Sequence, residues 1–219
     1  MIKNVRGCLF LFLNIIICLA AVSIIAAYPP PQTIAGIVPI DGTRIRQADW
    51  EKQDCLGVQC ELCPFRCFLP EGSRGICRVR MNVGGELKTL VYGQPVSVHI
   101  DPIEKKPVYH MLPGSRIFSL ATVGCNLRCS FCQNWEISQC NPEEAKTAGQ
   151  IMTPGQVVDA AIANNCGSIA YTYSEPVVFY EYVMDIAKLA KQRGLRNVLV
   201  SAGYINREPL RKLAPYFDV

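Results

Sequence analysis

The chain has 219 residues, half of them hydrophobic, and a formal net charge of +4 at pH 7. That length holds one large domain or two small ones around a sizeable core, and so mild a charge, with no basic run, argues against a nucleic-acid-binding protein. The 12 cysteines are the unusual figure, because clustered thiols mean metal in a reducing compartment and disulfides in an oxidising one.

Lys3 and Arg6 precede an apolar run from Cys8 to Ala27 whose only polar side chains are Asn14 and Ser23. About 20 apolar residues cross a bilayer, whereas a cleavable signal peptide has an apolar core of roughly 7–15. Residues 1–27 are therefore expected to be a transmembrane anchor, a single helix that seats residues 8–27 in a lipid bilayer. A signal peptide cut near Ala27 and a buried soluble helix are the alternatives. The basic residues lie before the run and none follows until Arg44, so the charge rule sends the domain across the membrane. The chemistry argued below belongs on the cytoplasmic face, and both placements stay open.

Tyr28-Pro-Pro-Pro-Gln32 starts an extended linker, expected over 28–54. A small cysteine-rich unit with short strands is expected over 55–116. Cys60, Cys63, Cys67 and Cys77 follow a C-x2-C-x3-C-x9-C spacing, enough for a closed tetrahedral site, and Gly72 and Gly75 supply tight turns. The four cysteines read either as a second metal site, holding a structural zinc or a second cluster, or as disulfides or free thiols. Val79 to Leu90 and Val96 to Ile100 look like short strands around the hairpin signal Gly84-Gly85. Asp101 to His110 reads as a solvated loop, or as one lying over a cofactor with Lys105, Lys106 or His110 in contact.

From Ile117 a β/α rhythm sets in. Strands are expected over Ile117–Thr122, Ser168–Tyr173 and Asn197–Ser201, with a fourth starting at Tyr216. A helix over 153–164 takes Thr153 as N-cap and Pro154 at its first position. A second begins at Glu175-Pro176, and a third, over 208–213, is capped by Asn206. Strands alternating with helices give a parallel sheet whose right-handed crossovers curl it toward a barrel. The fold class is α/β, a partial (β/α) barrel over 117–219 cut off after about four strands. The expectation is an N-terminal portion of a longer protein, or a truncated gene product.

Between the first strand and first helix lies Gly124-Cys-Asn-Leu-Arg-Cys-Ser-Phe-Cys-Gln-Asn-Trp135. Its cysteines, Cys125, Cys129 and Cys132, are spaced C-x3-C-x2-C. Three thiolates hold three corners of a cubane iron–sulfur cluster and leave the fourth iron open to another ligand. Zinc sites prefer C-x2-C pairs and a fourth ligand, and none stands close by. The loop lies at the C-terminal end of a strand, where barrel enzymes keep their chemistry.

Together, Cys60-Glu-Leu-Cys-Pro-Phe-Arg-Cys67, Asp101-Pro-Ile-Glu-Lys-Lys-Pro107, the three-cysteine run and Tyr171-Thr-Tyr-Ser-Glu-Pro176 make residues 60–219 resemble one family. It is the radical S-adenosylmethionine (SAM) enzyme of the AmmeMemoRadiSam system, related to pyruvate formate-lyase activating enzymes. The resemblance implies a barrel of about six βα units and a 4Fe–4S cluster on Cys125, Cys129 and Cys132. It implies SAM chelated to the fourth iron, with Phe131 beside the adenine. Tyr173-Ser-Glu-Pro176 takes the place of a Gly-Gly-Glu-Pro segment, so Ser174 and Glu175 would meet the SAM amino group. Ser201-Ala-Gly-Tyr204 stands where Ser-Asn-Gly-Tyr is expected; Ser201 and Gly203 would contact SAM, and Ala202 lacks the amide. The implied function is reductive cleavage of SAM to a 5′-deoxyadenosyl radical for hydrogen abstraction, with a one-electron reductant as donor. A glycyl residue in a partner protein is the implied target, and Memo-like and AMMECR-like proteins are the implied partners. The alternatives are a membrane-tethered or exported cysteine-rich metal or disulfide module, and an inactive remnant.

Overall fold

The computed structural model describes residues 45–145 and 151–219. Among the described residues ten strands and four α-helices follow in chain order: β1 Arg46–Gln47, β2 Glu51–Asp54, β3 Gly57–Cys60, β4 Phe68–Leu69, β5 Arg80–Val83, β6 Glu86–Thr89, β7 Ser97–Pro102, β8 Arg116–Ala121, α1 Trp135–Ser138, α2 Pro154–Ala163, β9 Cys166–Tyr171, α3 Tyr180–Gln192, β10 Arg196–Leu199 and α4 Arg207–Leu213. The described residues all fall within one compact unit, Ile37–Val219. No helix among them is long and apolar enough to cross a membrane, and the span expected at 8–27 lies outside them.

The principal sheet has the order β10-β9-β8-β7. Strands β8, β9 and β10 run parallel, as their alternation with helices requires, and β7 pairs antiparallel with β8. The sheet is therefore mixed, a departure from the all-parallel expectation. Pro113 and Gly114 turn the chain between β7 and β8, with Gly114 at φ +74°, so the two strands need no helical crossover. Instead of a regular fourth strand there is a 3-10 turn over Ala214–Tyr216. Even so, Asp218 N donates to Asn197 O at 3.0 Å and Leu199 N donates to Val219 O at 2.9 Å, extending the backbone pairing beyond β10.

Side-chain alternation along the parallel strands separates two cores. Phe118, Leu120, Ile169 and Tyr171 face the large core, into which α2 sends Val157, Val158 and Ala161 and α3 sends Val183, Ile186 and Ala187. Ile117, Ala170 and Val198 point the other way and are covered by Ile103 and Val108, with Met111 packed alongside. Burying each large apolar side chain is worth roughly 1.5–3 kcal/mol. Helix α2 begins as its sequence predicts: Gln156 N donates to Thr153 Oγ1 at 3.3 Å, and Thr153 N donates to Gln156 Oε1 at 2.8 Å.

The cysteine-rich part does not stand apart. Its two three-stranded sheets, β1-β6-β5 and β2-β3-β4, share the large core through Val58, Leu62, Leu69 and Val79. The hairpin at Gly84-Gly85 forms as expected, with both glycines at positive φ in the sense of a type I′ turn. Two expectations are corrected. Residues 46–54, expected as linker, form β1 and β2, because each finds a partner far along the chain, β6 and the β3 hairpin. Asn206 does not cap α4 with its side chain; it donates to Glu61 O at 2.6 Å, binding the cysteine-rich part to the segment after β10.

Candidate functional site

The three-cysteine loop leaves the end of β8 through Gly124, at φ +96°. A β-carbon there would lie 2.5 Å from Val79 Cγ1 and 2.8 Å from Cys77 O, so only glycine lets the loop pass so close to the cysteine-rich part. Gly124 N then donates to Ile137 O at 3.0 Å, Cys132 N donates to Cys129 O at 3.2 Å, and α1 closes the loop. Leu127 N donates to Cys125 Sγ at 3.3 Å. Burial pushes the Cys125 thiol pKa up, and the Leu127 amide pulls against it.

Cys125, Cys129 and Cys132 line one cavity of about 450 Å³. Ser174, Glu175 and Ser201 stand in its wall, at the C-terminal ends of β9 and β10, and Lys105 and Lys106 line it from the loop after β7. Glu175, only 4% exposed, is tied by three donors: Val177 N at 3.0 Å, Ser201 Oγ at 2.6 Å and Ala202 N at 2.9 Å. A carboxylate has about four lone-pair sites, so capacity for one further donor remains. Ser174 Oγ donates to Thr122 O at 2.7 Å, fixing the loop after β9 to the end of β8. Glu175 also caps the 3-10 turn that leads into α3, the role its position beside Pro176 suggests.

Three residues expected at the site stand outside the cavity wall. Phe131 is 88% exposed on the loop and is not in the cavity wall. Gly203 lies outside the wall too, at φ +70°, with its amide donating to Ser201 Oγ at 2.9 Å. His110 is exposed and does not line the cavity.

Other residues were not legible from the sequence. Asn134 donates from Nδ2 to Tyr173 O at 3.0 Å and lines the cavity. Tyr173 has φ +65°, a conformation that costs a non-glycine residue on the order of 1–3 kcal/mol. Its hydroxyl donates to Asp101 Oδ2 at 2.6 Å, and Lys106 Nζ lies 4.3 Å from its ring centre. Asp101 also accepts from Lys105 and Lys106, each at 2.8 Å. Burial works against ionising Asp101, but these donors hold its carboxyl well below the usual range. The only sequence signal was the charged Asp101-to-Pro107 run itself.

The second group, Cys60, Cys63, Cys67 and Cys77, does come together. The four residues line one small cavity of about 10 Å³, beside Arg80 and Asn126. Cys60 N donates to Cys67 O at 2.9 Å and Arg66 N to Cys63 O at 3.1 Å, which folds the first three cysteines into one turn. Burial pushes the Cys77 thiol up to about 12 and raises Cys63 as well. Behind them Arg80 NH1 forks onto Glu181 at 2.8 and 3.0 Å. Burial alone would lower the Arg80 pKa; the Glu181 carboxylate outweighs it and raises it.

Among the described residues no three Cys, His, Asp or Glu side chains close tightly round a single ion. The loop thiols are spread along the wall of a roomy cavity, with an amide on one sulfur and no fourth thiol in that wall. That donor set fits a cluster of several atoms with one open corner.

Residues 119–219 match a family model described as the Radical SAM superfamily. An uncharacterized protein of Methanocaldococcus jannaschii is 46% identical over 164 residues, which are 75% of this chain and 49% of that protein. A second uncharacterized protein of the same organism is 33% identical over 36% of this chain and 19% of its own length. The pyruvate formate-lyase-activating enzyme of Clostridium pasteurianum is 27% identical over 37% of this chain and 34% of its own length. The chain thus spans about half the length, or less, of these curated relatives. No solved structure matches it.

Proposed function

From the premise that residues 119–219 belong to the radical SAM superfamily, we propose that the chain carries the cofactor site of an enzyme that cleaves S-adenosylmethionine reductively. The observation that carries this reading is the shared wall: Cys125, Cys129 and Cys132 line the same cavity as Ser174, Glu175 and Ser201. The three cysteines would hold a 4Fe–4S cluster. Such a cluster, reduced by a one-electron donor, supplies the electron that splits SAM into methionine and a 5′-deoxyadenosyl radical able to take a hydrogen atom from substrate.

The chain's own residues bind and orient. The spare acceptor capacity of Glu175 suits the SAM amino group, and its bonds to Ser201 and Ala202 hold the carboxylate still while it does so. The Leu127 amide on Cys125 favours the thiolate form of that ligand. Lys106, kept in place by Asp101 and Tyr173, puts a cation on the wall of the cavity. Activation of a glycyl residue in a partner protein is the substrate reading, supported by the partial likeness to an activating enzyme. Memo-like and AMMECR-like proteins are the proposed partners, and co-purification from the native cell tests them; their absence from the eluate overturns that choice.

The test of the activity is anaerobic reconstitution with iron and sulfide, then dithionite and SAM, with 5′-deoxyadenosine as the readout. Wild type is expected to form the nucleoside, and Cys129→Ala to form neither cluster nor product. A wild-type chain that takes up no cluster sinks the reading.

A further inference from the structure

We propose that Cys60, Cys63, Cys67 and Cys77 bind one structural zinc ion as four thiolates, with Arg80 offsetting the surplus negative charge.

The first argument is convergence. The four cysteines come from three separate pieces of chain: the end of β3, the turn after it, and the segment before β5. Folding nevertheless brings all four to one cavity. The sulfurs line that space without meeting at a point. Cysteine side chains move between staggered positions, and binding of one ion would draw the four sulfurs inward. Four thiolates and no open position make the closed tetrahedral set of a structural zinc site.

Size selects the metal. The cavity, about 10 Å³, is that of a single water-sized body. A single ion needs far less room than an eight-atom iron–sulfur cubane, and this is the smaller of the two thiol-lined spaces. The cavity that faces Glu175 is about 450 Å³, so the two thiol groups differ in kind.

The surroundings are those of a charged sulfur site. A divalent ion on four thiolates is doubly negative, and burying that charge needs donors. The backbone amides of Phe65 and Val79 lie beside Cys63 and Cys77, each two residues on from the sulfur it would serve. Arg80 lines the same cavity at 1% exposure, and its Nε–H is buried with no partner. A buried guanidinium N–H left unpaired is costly, and a thiolate beside it removes the cost. Binding displaces the thiol protons to solvent, so uptake is expected to weaken as pH falls.

The test uses the full chain carrying Cys125→Ala, Cys129→Ala and Cys132→Ala together, which removes the proposed cluster ligands and leaves the four cysteines intact. Elemental analysis is expected to find one zinc per chain, and X-ray absorption four sulfurs at about 2.3 Å. Exchange with cobalt should give the d–d bands of a tetrahedral four-thiolate complex. Iron in place of zinc, fewer than four sulfur ligands, a disulfide among the four, or a metal-free folded chain each overturns the site. Because the triple variant is blind to the loop cluster, loss of the SAM reading leaves this result standing, and the reverse also holds.

Discussion

Glu175 Oε1 accepts from Ser201 Oγ at 2.6 Å while Oε2 accepts from Ala202 N at 2.9 Å, so one carboxylate joins the ends of two neighbouring parallel strands. Removing it leaves a hydroxyl and two amides without their acceptor. Glu175→Ala is expected to cost about 1–3 kcal/mol of stability, read from a urea midpoint. If the same carboxylate holds the SAM amine, the dissociation constant for SAM rises by roughly tenfold or more as well. Calorimetric titration of the reconstituted chain decides this, and unchanged SAM affinity would place the amine elsewhere.

Gly124 lets the cysteine loop pass against the Cys77 carbonyl. In Gly124→Ala the new methyl must lie where Val79 and Cys77 O already are, at a φ of +96° that disfavours any side chain. Backbone strain alone costs on the order of 1–3 kcal/mol. Thermal unfolding should show the loss, and iron uptake at the loop should fall with it. A variant as stable as wild type would mean the loop approaches less closely than described.

Arg80 and Glu181 are both buried, at 1% and 4% exposure. Glu181→Leu strands a guanidinium in the core and should cost about 3–5 kcal/mol. The pair Arg80→Met with Glu181→Leu should recover much of that, since neither charge is then left alone. A double-mutant cycle by chemical denaturation measures the difference, and simple additivity would contradict the pairing.

Asp101 gives a pH signature. Its folded carboxyl ionises below the unfolded value of about 3.9. The stability it contributes is therefore complete above about pH 4 and is lost as pH falls through the folded value. The urea midpoint of wild type should exceed that of Asp101→Asn at neutral pH and converge on it in acid. A gap that persists unchanged to about pH 2 would contradict the depressed ionisation.

Features with a local cause could be read directly. The Thr153/Gln156 cap, the Gly84-Gly85 hairpin and the three-cysteine run each need only a few neighbouring residues. Features that depend on distant partners could not. Arg46–Gln47 is a strand only because Lys88 and Thr89 lie beside it. Asn206 looked like a cap, and only the fold reveals the Glu61 carbonyl that claims its amide. Tyr173 at positive φ sits where the resemblance places glycine, and its hydroxyl bond to Asp101 shows how a tyrosine is held there. The exposure of Phe131 likewise follows from the path of the loop and not from its place in the motif.

The bond from Asn206 to Glu61 spans 145 positions of sequence. At about 5–20 residues per second, a ribosome needs roughly 7–30 s to make the chain between them. Until Asn206 emerges, the turn that carries Cys60 and Cys63 lacks its bonds to that residue, at the carbonyls of Glu61 and Leu62. For that interval the two cysteines are bare thiols, open to oxygen and to one another. Growth under air therefore meets these thiols before the fold is complete.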